Sequence, residues 1–255
     1  MAVIVFFHAH PDDEAIFTGG TIARLSDCGH RVVVVVATGG ELGLVVPSAS
    51  PDDLASVRRQ ETQRAASLLG ASTVRFLGYR DSGVAGDPAN HAPGSLCAAD
   101  AAEVGRRLAD ILVVEEASAL VVYDEFGIYG HPDHVQVHDA GMLAARGARV
   151  ATVYEATVDR EYLHFVETHL VEEAILSGDL GLARSNIGVP TVMVTTTISV
   201  AGVLDRKRAA MAAHASQIPE SNSALQFGVD QFAAVYGWEW FIRHGPVGPL
   251  EALAG

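Results

Sequence analysis

The chain has 255 residues, and its 31 acidic against 17 basic side chains give a formal net charge of −14 at pH 7. A protein that binds a phosphate backbone gains affinity by neutralising it with Lys and Arg, so this balance argues against nucleic acid as a partner. Hydrophobic residues make up 49% of the chain and charged residues 19%, which is typical of a folded globular protein. We expect the basic triplet 206–208 (RKR) to lie on a solvated helix face.

Length and composition also restrict location and domain number. Uncharged apolar stretches such as 32–37 are far shorter than the roughly 18–20 residues of a membrane span. The N-terminus lacks the features of a signal peptide, so we predict a cytoplasmic protein with no membrane partner. Cys28 and Cys97 are not spaced as a disulfide framework or thiolate zinc site, which fits a reduced compartment. We expect one domain over 1–255, with a motif-bearing core of about 1–158 and a C-terminal third that adds edge elements and a lid.

Short β-branched runs alternate with helical patterns in the N-terminal half, which is typical of βαβ units and a parallel sheet. The predicted strands are 3–8, 31–38, 73–79, 119–124 and about 148–158. The predicted helices are 14–27, 50–69, about 98–116 and about 133–146. The pattern predicts an α/β fold: a Rossmann-like open, mostly parallel sheet with helices on both faces, in which strands one and four are neighbours.

Beyond residue 158 the alternation weakens. We predict a helix over about 159–178, a strand near 191–198, a helix near 201–215 and a mostly irregular tail. The Gly- and Pro-rich segment 83–95 and the loop 42–50 are expected to border a binding site and to contribute to its specificity.

Two polar clusters directly follow predicted strands. Segment 8–14 (HAHPDDE) follows strand one, and segment 129–134 (YGHPDH) follows strand four. Ligands bind at the carboxyl ends of parallel strands, so both clusters can face one crevice. Unpaired buried polar groups are costly, and a bound Zn²⁺ or Fe²⁺ would explain this concentration of imidazoles and carboxylates. In the simpler alternative, an Asp caps the following helix and the His side chains make surface hydrogen bonds.

These residues resemble those of a known family. The segments 10–14 (HPDDE) and 131–134 (HPDH) are similar to those of the PIG-L (LmbE-like) deacetylases, metal-dependent enzymes that remove N-acetyl groups from glucosaminyl conjugates. The resemblance extends to Gly40-Glu41, to 58–61 (RRQE) and to 79–83 (YRDSG), and it covers about the first 145 residues. It implies a Rossmann-like fold, a hydrolytic activity and a metal cofactor.

The resemblance also implies a role for each residue of the paired motifs. The implied ligands of Zn²⁺, with Fe²⁺ as the alternative metal, are His10, Asp13 and His134. Asp12 would be the general base that takes a proton from water. His131 would help to stabilise the oxyanion as an imidazolium, with Asp133 tuning its charge and orientation.

Other residues have less defined roles. Tyr129 matches a tyrosine that assists the tetrahedral intermediate in some family members, and otherwise would lie on the pocket rim. Arg59 would contact the substrate, and otherwise would be an exposed helix residue. Glu14 is expected near the ligands and not among them. His8 is expected to pack in the core, and His214 to lie near the site in a structural or functional role.

We therefore predict a metal-dependent hydrolase that removes an N-acetyl or other N-acyl group from an amino sugar or glucosaminyl conjugate. The expected partner is this small-molecule substrate, and homo-oligomer formation is left open. Two alternatives keep the metal site: a hydratase or lyase, and an amide hydrolase of a natural-product or thiol conjugate. A third is a protein that binds a sugar without turnover, and the second carboxylate, Asp12, argues against it.

Overall fold

The computed structural model describes residues 1–43, 51–169 and 187–254. A seven-stranded sheet lies at its centre, in the order β3-β2-β1-β4-β5-β7-β6. The strands are β1 (Val3–His8), β2 (Arg31–Thr38), β3 (Thr73–Tyr79), β4 (Ala119–Tyr123), β5 (Thr152–Thr157), β6 (Thr196–Ser199) and β7 (Trp238–His244). Strands β1 to β5 are parallel, whereas β7 pairs antiparallel with both β5 and β6. The predicted open, mostly parallel sheet is confirmed, and β1 lies beside β4.

Helices cover both faces of this sheet. They are α1 (Asp13–Phe17), α2 (Gly19–Asp27), α3 (Pro51–Leu69), α4 (Ala101–Val114), α5 (Gly127–Gly130), α6 (Pro132–Ala148), α7 (Arg160–His169), α8 (Leu204–Ala213), α9 (Ser223–Gln226) and α10 (Val229–Tyr236). Successive strand residues point to opposite faces. Ile4 and Phe6 accordingly pack in a core with α2, α3 and α8, and Val5 and Phe7 in a second core with α4 and α6. Within the described ranges, no helix is long and apolar enough to cross a membrane.

The predicted helix 14–27 is two helices, α1 and α2, which are separated at Thr18. Glu239 on β7 accepts hydrogen bonds of 2.8 Å from the backbone N–H groups of Gly20 and Thr21. A Cβ atom at Gly20 would lie 2.3 Å from the Val200 side chain. A new helix therefore starts where its N-terminus meets a carboxylate from the far end of the chain, a contact that no local pattern reveals.

The C-terminal third is more regular than predicted. The tail that was expected to be mostly irregular contains α9, α10 and the full strand β7. Strand β6 starts later than expected, after a 3-10 turn over Thr191–Met193, and α8 is shorter than the predicted helix 201–215. Helix α7 corresponds to the first part of the predicted helix 159–178. The remainder of that helix, and positions 44–50 of the predicted specificity loop, lie outside the described residues.

The basic triplet is not a solvated face, because its central residue is buried. Lys207 is 1% exposed, and its Nζ lies 2.6 Å from Oε1 of Glu239. The same carboxylate accepts the two backbone N–H groups of α2, so one buried ion pair joins α8, β7 and α2. The neighbouring Arg206 instead makes a partly exposed ion pair with Asp27.

We predict that Lys207→Met lowers the free energy of unfolding by about 3–5 kcal/mol, since it leaves the buried Glu239 carboxylate without its counter-charge. Urea unfolding measures this loss. Asp27→Asn is the matched control, because it removes a surface pair with the same 2.6 Å separation and should cost at most about 1 kcal/mol. Equal losses in the two variants would contradict the contribution assigned to the buried pair.

Candidate metal centre and catalytic pocket

A cavity of about 440 Å³ lies where β1 and β4 end, a size suited to a small-molecule ligand. These two strands are hydrogen-bonded neighbours, so the segments that follow them face one another. The polar side chains that line the cavity are His10, Asp12, Asp13, Arg58, Asp81, Tyr129, His131 and Gln217. The two clusters identified in the sequence are thus brought together in one pocket, as expected at the switch point of an open parallel sheet.

The Asp13 carboxylate is the centre of this cluster. Its Oδ2 lies 3.4 Å from Nδ1 of His10 and 3.4 Å from Nε2 of His134. The same oxygen accepts hydrogen bonds of 2.8 Å from the backbone N–H of His10 and from the Tyr123 hydroxyl. Burial alone would raise the pKa of Asp13, but His134 and His10 outweigh it and hold that pKa well below its ordinary range. The carboxylate is therefore ionised.

His10 lies among carboxylates that favour a positive charge. Burial alone would lower the pKa of His10, but Asp81, Asp13 and Asp133 outweigh it and raise that pKa well above its ordinary value. A proton or a metal cation can supply this positive charge. The surroundings of the ring therefore suit cation binding.

The distance from the Asp13 carboxylate to each of the two imidazoles also suits a shared divalent cation. Ligand atoms bound tetrahedrally at about 2.0–2.1 Å are roughly 3.4 Å from one another, which matches the separation of Asp13 Oδ2 from each imidazole nitrogen. Two sets of three residues have ligand atoms that all lie within 4.8 Å of one another in the part of the chain described here: His10 with His131 and His134, and His10 with Asp81 and Asp133. His10 belongs to both sets and also lies beside Asp13.

Asp133 holds the second nitrogen of the His10 ring. Its Oδ2 lies 3.1 Å from Nε2 of His10, and the Ser82 backbone N–H and hydroxyl donate to the same carboxylate. Burial alone would raise the pKa of Asp133, but the hydrogen bonds from His10 and Ser82 outweigh it and lower that pKa. A carboxylate on the far nitrogen of a ligand histidine fixes the ring orientation, here with Nδ1 towards Asp13. Asp133 contacts His131 through its backbone N–H, which donates to Nδ1, and its negative charge opposes the lowering of the pKa of His131.

Asp12 lines the cavity from a strained backbone conformation, with φ at 105°. Its backbone N–H donates to Oε2 of Glu14, whose Oε1 lies 2.6 Å from Nε2 of His214. Its Oδ2 accepts a 3.2 Å hydrogen bond from Arg58. Burial raises the pKa of Asp12 to about 6 against the opposing charge of Arg58. At neutral pH Asp12 is ionised, with a pKa close to the range that suits a general base.

His131 is the N-cap of α6, because its Nδ1 accepts a 3.2 Å hydrogen bond from the backbone N–H of Asp133. Burial, followed by the charges of His10 and His134, lowers the pKa of His131 to about 3. The ring is therefore neutral here, and not the imidazolium that the sequence analysis expected. Since Nδ1 is the acceptor, the proton of the neutral ring is on Nε2. His131 can still donate one hydrogen bond.

The two remaining candidates, Tyr129 and Arg59, lie in different surroundings. Tyr129 is half-buried in the pocket wall, and its ring centroid lies 4.9 Å from that of His134. Arg59 does not reach the pocket, because it is exposed and its guanidinium lies over the Phe76 ring at 5.3 Å. Its neighbour Arg58 is 3% exposed and lines the cavity instead.

The spacing of the apolar residues along α3 could have identified Arg58, and not Arg59, as the arginine in the pocket. Leu54, Arg58, Glu61, Ala65 and Leu69 are all buried and recur at helical spacing. Arg58 therefore shares the apolar face that packs on the sheet, whereas the residue after it points outward.

Sequence reasoning also missed hydrogen-bonding partners of the motif residues. His8 is buried, as expected, but both of its ring nitrogens have polar partners, on Tyr123 and Thr18. Tyr123 donates to the Asp13 carboxylate, and Ser82 donates to Asp133. A tyrosine within the otherwise aliphatic strand 119–123 was the available signal, because a buried phenol usually has a hydrogen-bond partner.

Comparison with known proteins identifies similar sequences and folds. The profile of the PIG-L family, described as GlcNAc-PI de-N-acetylase, matches residues 5–145. A 1D-myo-inositol 2-acetamido-2-deoxy-alpha-D-glucopyranoside deacetylase of Kineococcus radiotolerans is 39% identical over 84% of this chain and 68% of its own length. A relative of the same name in Thermomonospora curvata is 35% identical over 98% of this chain and 93% of its own length.

Solved structures share the fold at lower sequence identity. The N,N'-diacetylchitobiose deacetylase of Pyrococcus horikoshii has a TM-score of 0.63 at 24% identity, over 98% of this chain and 88% of that one. The 4-carboxy-2-hydroxymuconate hydratase of Pseudomonas putida has a TM-score of 0.60 at 20% identity, over 98% of both chains. Since a deacetylase and a hydratase both match, these structural similarities establish the fold alone.

Proposed function

Because this chain belongs to the PIG-L family of de-N-acetylases, we propose that it hydrolyses the N-acetyl amide of an amino-sugar conjugate with Asp12 as the general base. The observation that carries this proposal is that two adjacent carboxylates have different surroundings. Asp13 lies 3.4 Å from one nitrogen of each of two imidazoles, while Asp12 is bound to neither and lines the same cavity. One carboxylate can hold a metal while the other accepts a proton.

The proposed substrate class follows from the relatives. Those that match over most of this chain are deacetylases of 1D-myo-inositol 2-acetamido-2-deoxy-alpha-D-glucopyranoside. We propose that this chain acts on the same class, a 2-acetamido-2-deoxyglucoside, and that hydrolysis releases acetate and leaves a free amine on the sugar. A hydratase would instead add water to a double bond and release no acetate.

The proposed metal is Zn²⁺, with Fe²⁺ as the alternative, and its ligands would be His10, Asp13 and His134. When bound, such a cation would supply Lewis acidity towards the amide carbonyl and would lower the pKa of water to about 7. The Asp133 carboxylate would orient the ring of His10 from its far nitrogen. Its charge also acts on His131, where it opposes the lowering of the pKa that burial causes.

The residues beside the metal would carry the proton transfers. Asp12 takes a proton from the attacking water and returns it to the departing nitrogen as the C–N bond breaks. Arg58 keeps Asp12 oriented and opposes the rise in its pKa that burial causes. His131 donates its Nε2 proton in a hydrogen bond to the oxygen that becomes negatively charged, and needs no positive charge to do so. Tyr129 lines the same cavity, and we propose that its hydroxyl makes a further contact with that oxygen.

Three broader expectations stay proposals. We propose that residues 1–255 are one domain, which is supported by a sheet that includes strands from both the motif-bearing part and the C-terminal third. The cytoplasmic location and the formation of a homo-oligomer stay predictions from the sequence.

We predict one metal ion per chain in the wild type, which is lost in His134→Ala and Asp13→Ala and retained in His131→Asn. Elemental analysis after desalting measures the bound metal. Changes to groups that only hydrogen-bond to a ligand typically lower metal affinity by roughly 10–100-fold. His134→Ala and Asp13→Ala should lower the metal affinity by more than this. Loss of metal in His131→Asn, with retention in Asp13→Ala, would favour the set of three imidazoles and contradict the proposed ligands.

The wild type should release acetate from a 2-acetamido-2-deoxyglucoside, and Asp12→Asn should release it about 10²–10⁴-fold more slowly, since general-base catalysis contributes that factor. Asn tolerates a positive φ, so this substitution keeps the backbone geometry of the motif. Bound metal and the unfolding transition are the controls, and both should match the wild type. An acetate release rate within a few-fold of wild type would remove Asp12 from the mechanism.

His131→Asn and His131→Ala should both lower kcat by about 10²–10³-fold, the cost of one oxyanion donor. They should differ in stability, because an Asn side chain can still cap α6 and Ala cannot, which costs about 1 kcal/mol. Acetate release and urea unfolding together separate the two roles of this residue. Wild-type kcat in His131→Asn would mean that His131 is only the helix cap.

A further inference from the structure

We propose that Tyr123 is a positioning residue for the metal centre, and that His8 fixes the direction of its hydroxyl hydrogen bond. This proposal rests on the proposed function only in taking Asp13 and His134 as metal ligands. Tyr123 and His8 are not among the residues that line the cavity, whereas Asp13 is.

Tyr123 contacts both of these residues. It is the last residue of β4 and is fully buried. Its hydroxyl donates to Oδ2 of Asp13 at 2.8 Å, and its ring stacks on the His134 ring with centroids 4.2 Å apart and an interplanar angle of 16°. A single side chain on the sheet therefore relates a carboxylate on α1 to an imidazole on α6.

The protons around the Tyr123 hydroxyl can be assigned. The backbone N–H of Ala9 can only donate, and it donates to Oη at 3.1 Å. The ionised Asp13 can only accept, so it takes the single hydroxyl proton. Oη has one acceptor position left, and Nδ1 of His8 lies 3.0 Å from it. His8 must therefore carry a proton on Nδ1 and donate it, whether the ring is neutral or charged.

Thr18 completes this chain of contacts. Its Oγ1 lies 3.0 Å from Nε2 of His8, and it occupies the break between α1 and α2. Both ring nitrogens of His8 thus have hydrogen-bonding partners, which fixes the orientation of the ring. With the proton of a neutral ring on Nδ1, Nε2 accepts from the Thr18 hydroxyl. Without the His8 proton on Oη, the hydroxyl could rotate and direct its own proton towards His8, and Asp13 would lose a donor.

Loss of this donor should weaken metal binding. The hydroxyl and the His10 backbone N–H both donate to Oδ2 of Asp13 and so hold it in place from the protein side. Removing a hydrogen-bonding partner of a metal ligand typically lowers metal affinity by about 10–100-fold. Tyr123→Phe keeps the ring that packs on His134 and deletes only the hydroxyl, so it isolates this contribution.

The test is the Kd for Zn²⁺ of metal-free protein, measured in competition with a chromophoric chelator. Tyr123→Phe should raise this Kd by about 10–100-fold. Tyr154→Phe is the matched control, because Tyr154 is also a fully buried strand tyrosine that donates to a carboxylate, that of Glu251, away from the pocket. Its Kd should equal that of the wild type even though it too loses a hydrogen bond.

A second pair of variants tests the role of His8. His8→Leu should weaken Zn²⁺ binding, and His8→Asn should restore part of the affinity, because its amide can place a donor near the Nδ1 position. The effect of His8→Leu should vanish in the Tyr123→Phe background if it acts through the hydroxyl. These variants also keep the proposal testable should Tyr123→Phe fail to fold.

The outcomes separate this proposal from the proposed function. A Kd for Zn²⁺ in Tyr123→Phe equal to that of the wild type would overturn the inference, even where the wild type releases acetate. An equal rise in Kd in Tyr154→Phe would also overturn it, since the effect would then be general destabilisation. A selective rise in Tyr123→Phe supports it, even where no acetate is released and the proposed reaction fails. A wild type that binds neither Zn²⁺ nor Fe²⁺ overturns both.

Discussion

The buried carboxylate of Asp13 is the constraint on which the rest of the site depends. A buried anion is stable only when it is paired or hydrogen-bonded. Its partners come from three places: the turn after β1, the end of β4 and the first turn of α6. They can meet because β1 and β4 are adjacent in the sheet. The strand order is therefore the reason that residues more than a hundred positions apart form one cluster.

The C-terminal third supplies charged side chains that contact the segment around the first motif. The backbone of Asp12 is held in a conformation that typically costs about 1–3 kcal/mol, and the Glu14 carboxylate that accepts its N–H is paired with His214. Lys207 and Glu239 likewise join α8 and β7 to the first turn of α2. The chain after β5 thus provides buried charges that stabilise the helices directly following the first motif.

The fold by itself does not select the reaction. Proteins with deacetylase and hydratase activity both share this architecture at about 20–24% identity. What distinguishes the pocket is the arrangement of its side chains. Adjacent carboxylates face different partners: Asp13 contacts imidazoles and a phenol, whereas Asp12 contacts Arg58 and the cavity. This difference makes one carboxylate a good anchor for a cation and gives the other a pKa near 6.

Local information in the sequence was sufficient for the parallel core of the sheet and for the two polar clusters. Hydrophobic periodicity and turn residues act over a few positions, and the carboxyl end of a parallel strand is where a binding site forms. The break at Thr18 and the strand β7 were missed, because both depend on contacts between residues that are distant in sequence. The break depends on Glu239 near the C-terminal end, and β7 depends on its antiparallel pairing with β5.

The amino-acid sequence by itself determined which residue types lie at the ends of β1 and β4, since those segments follow directly from strand patterns and motifs. Only the tertiary structure decided how these residues pair. It directs the Asp133 carboxylate to His10, brings Arg58 and not Arg59 into the pocket, and places Tyr123 against Asp13. The physical reason is that hydrogen bonds and burial depend on distance in space, and these partners are up to 123 residues apart along the chain.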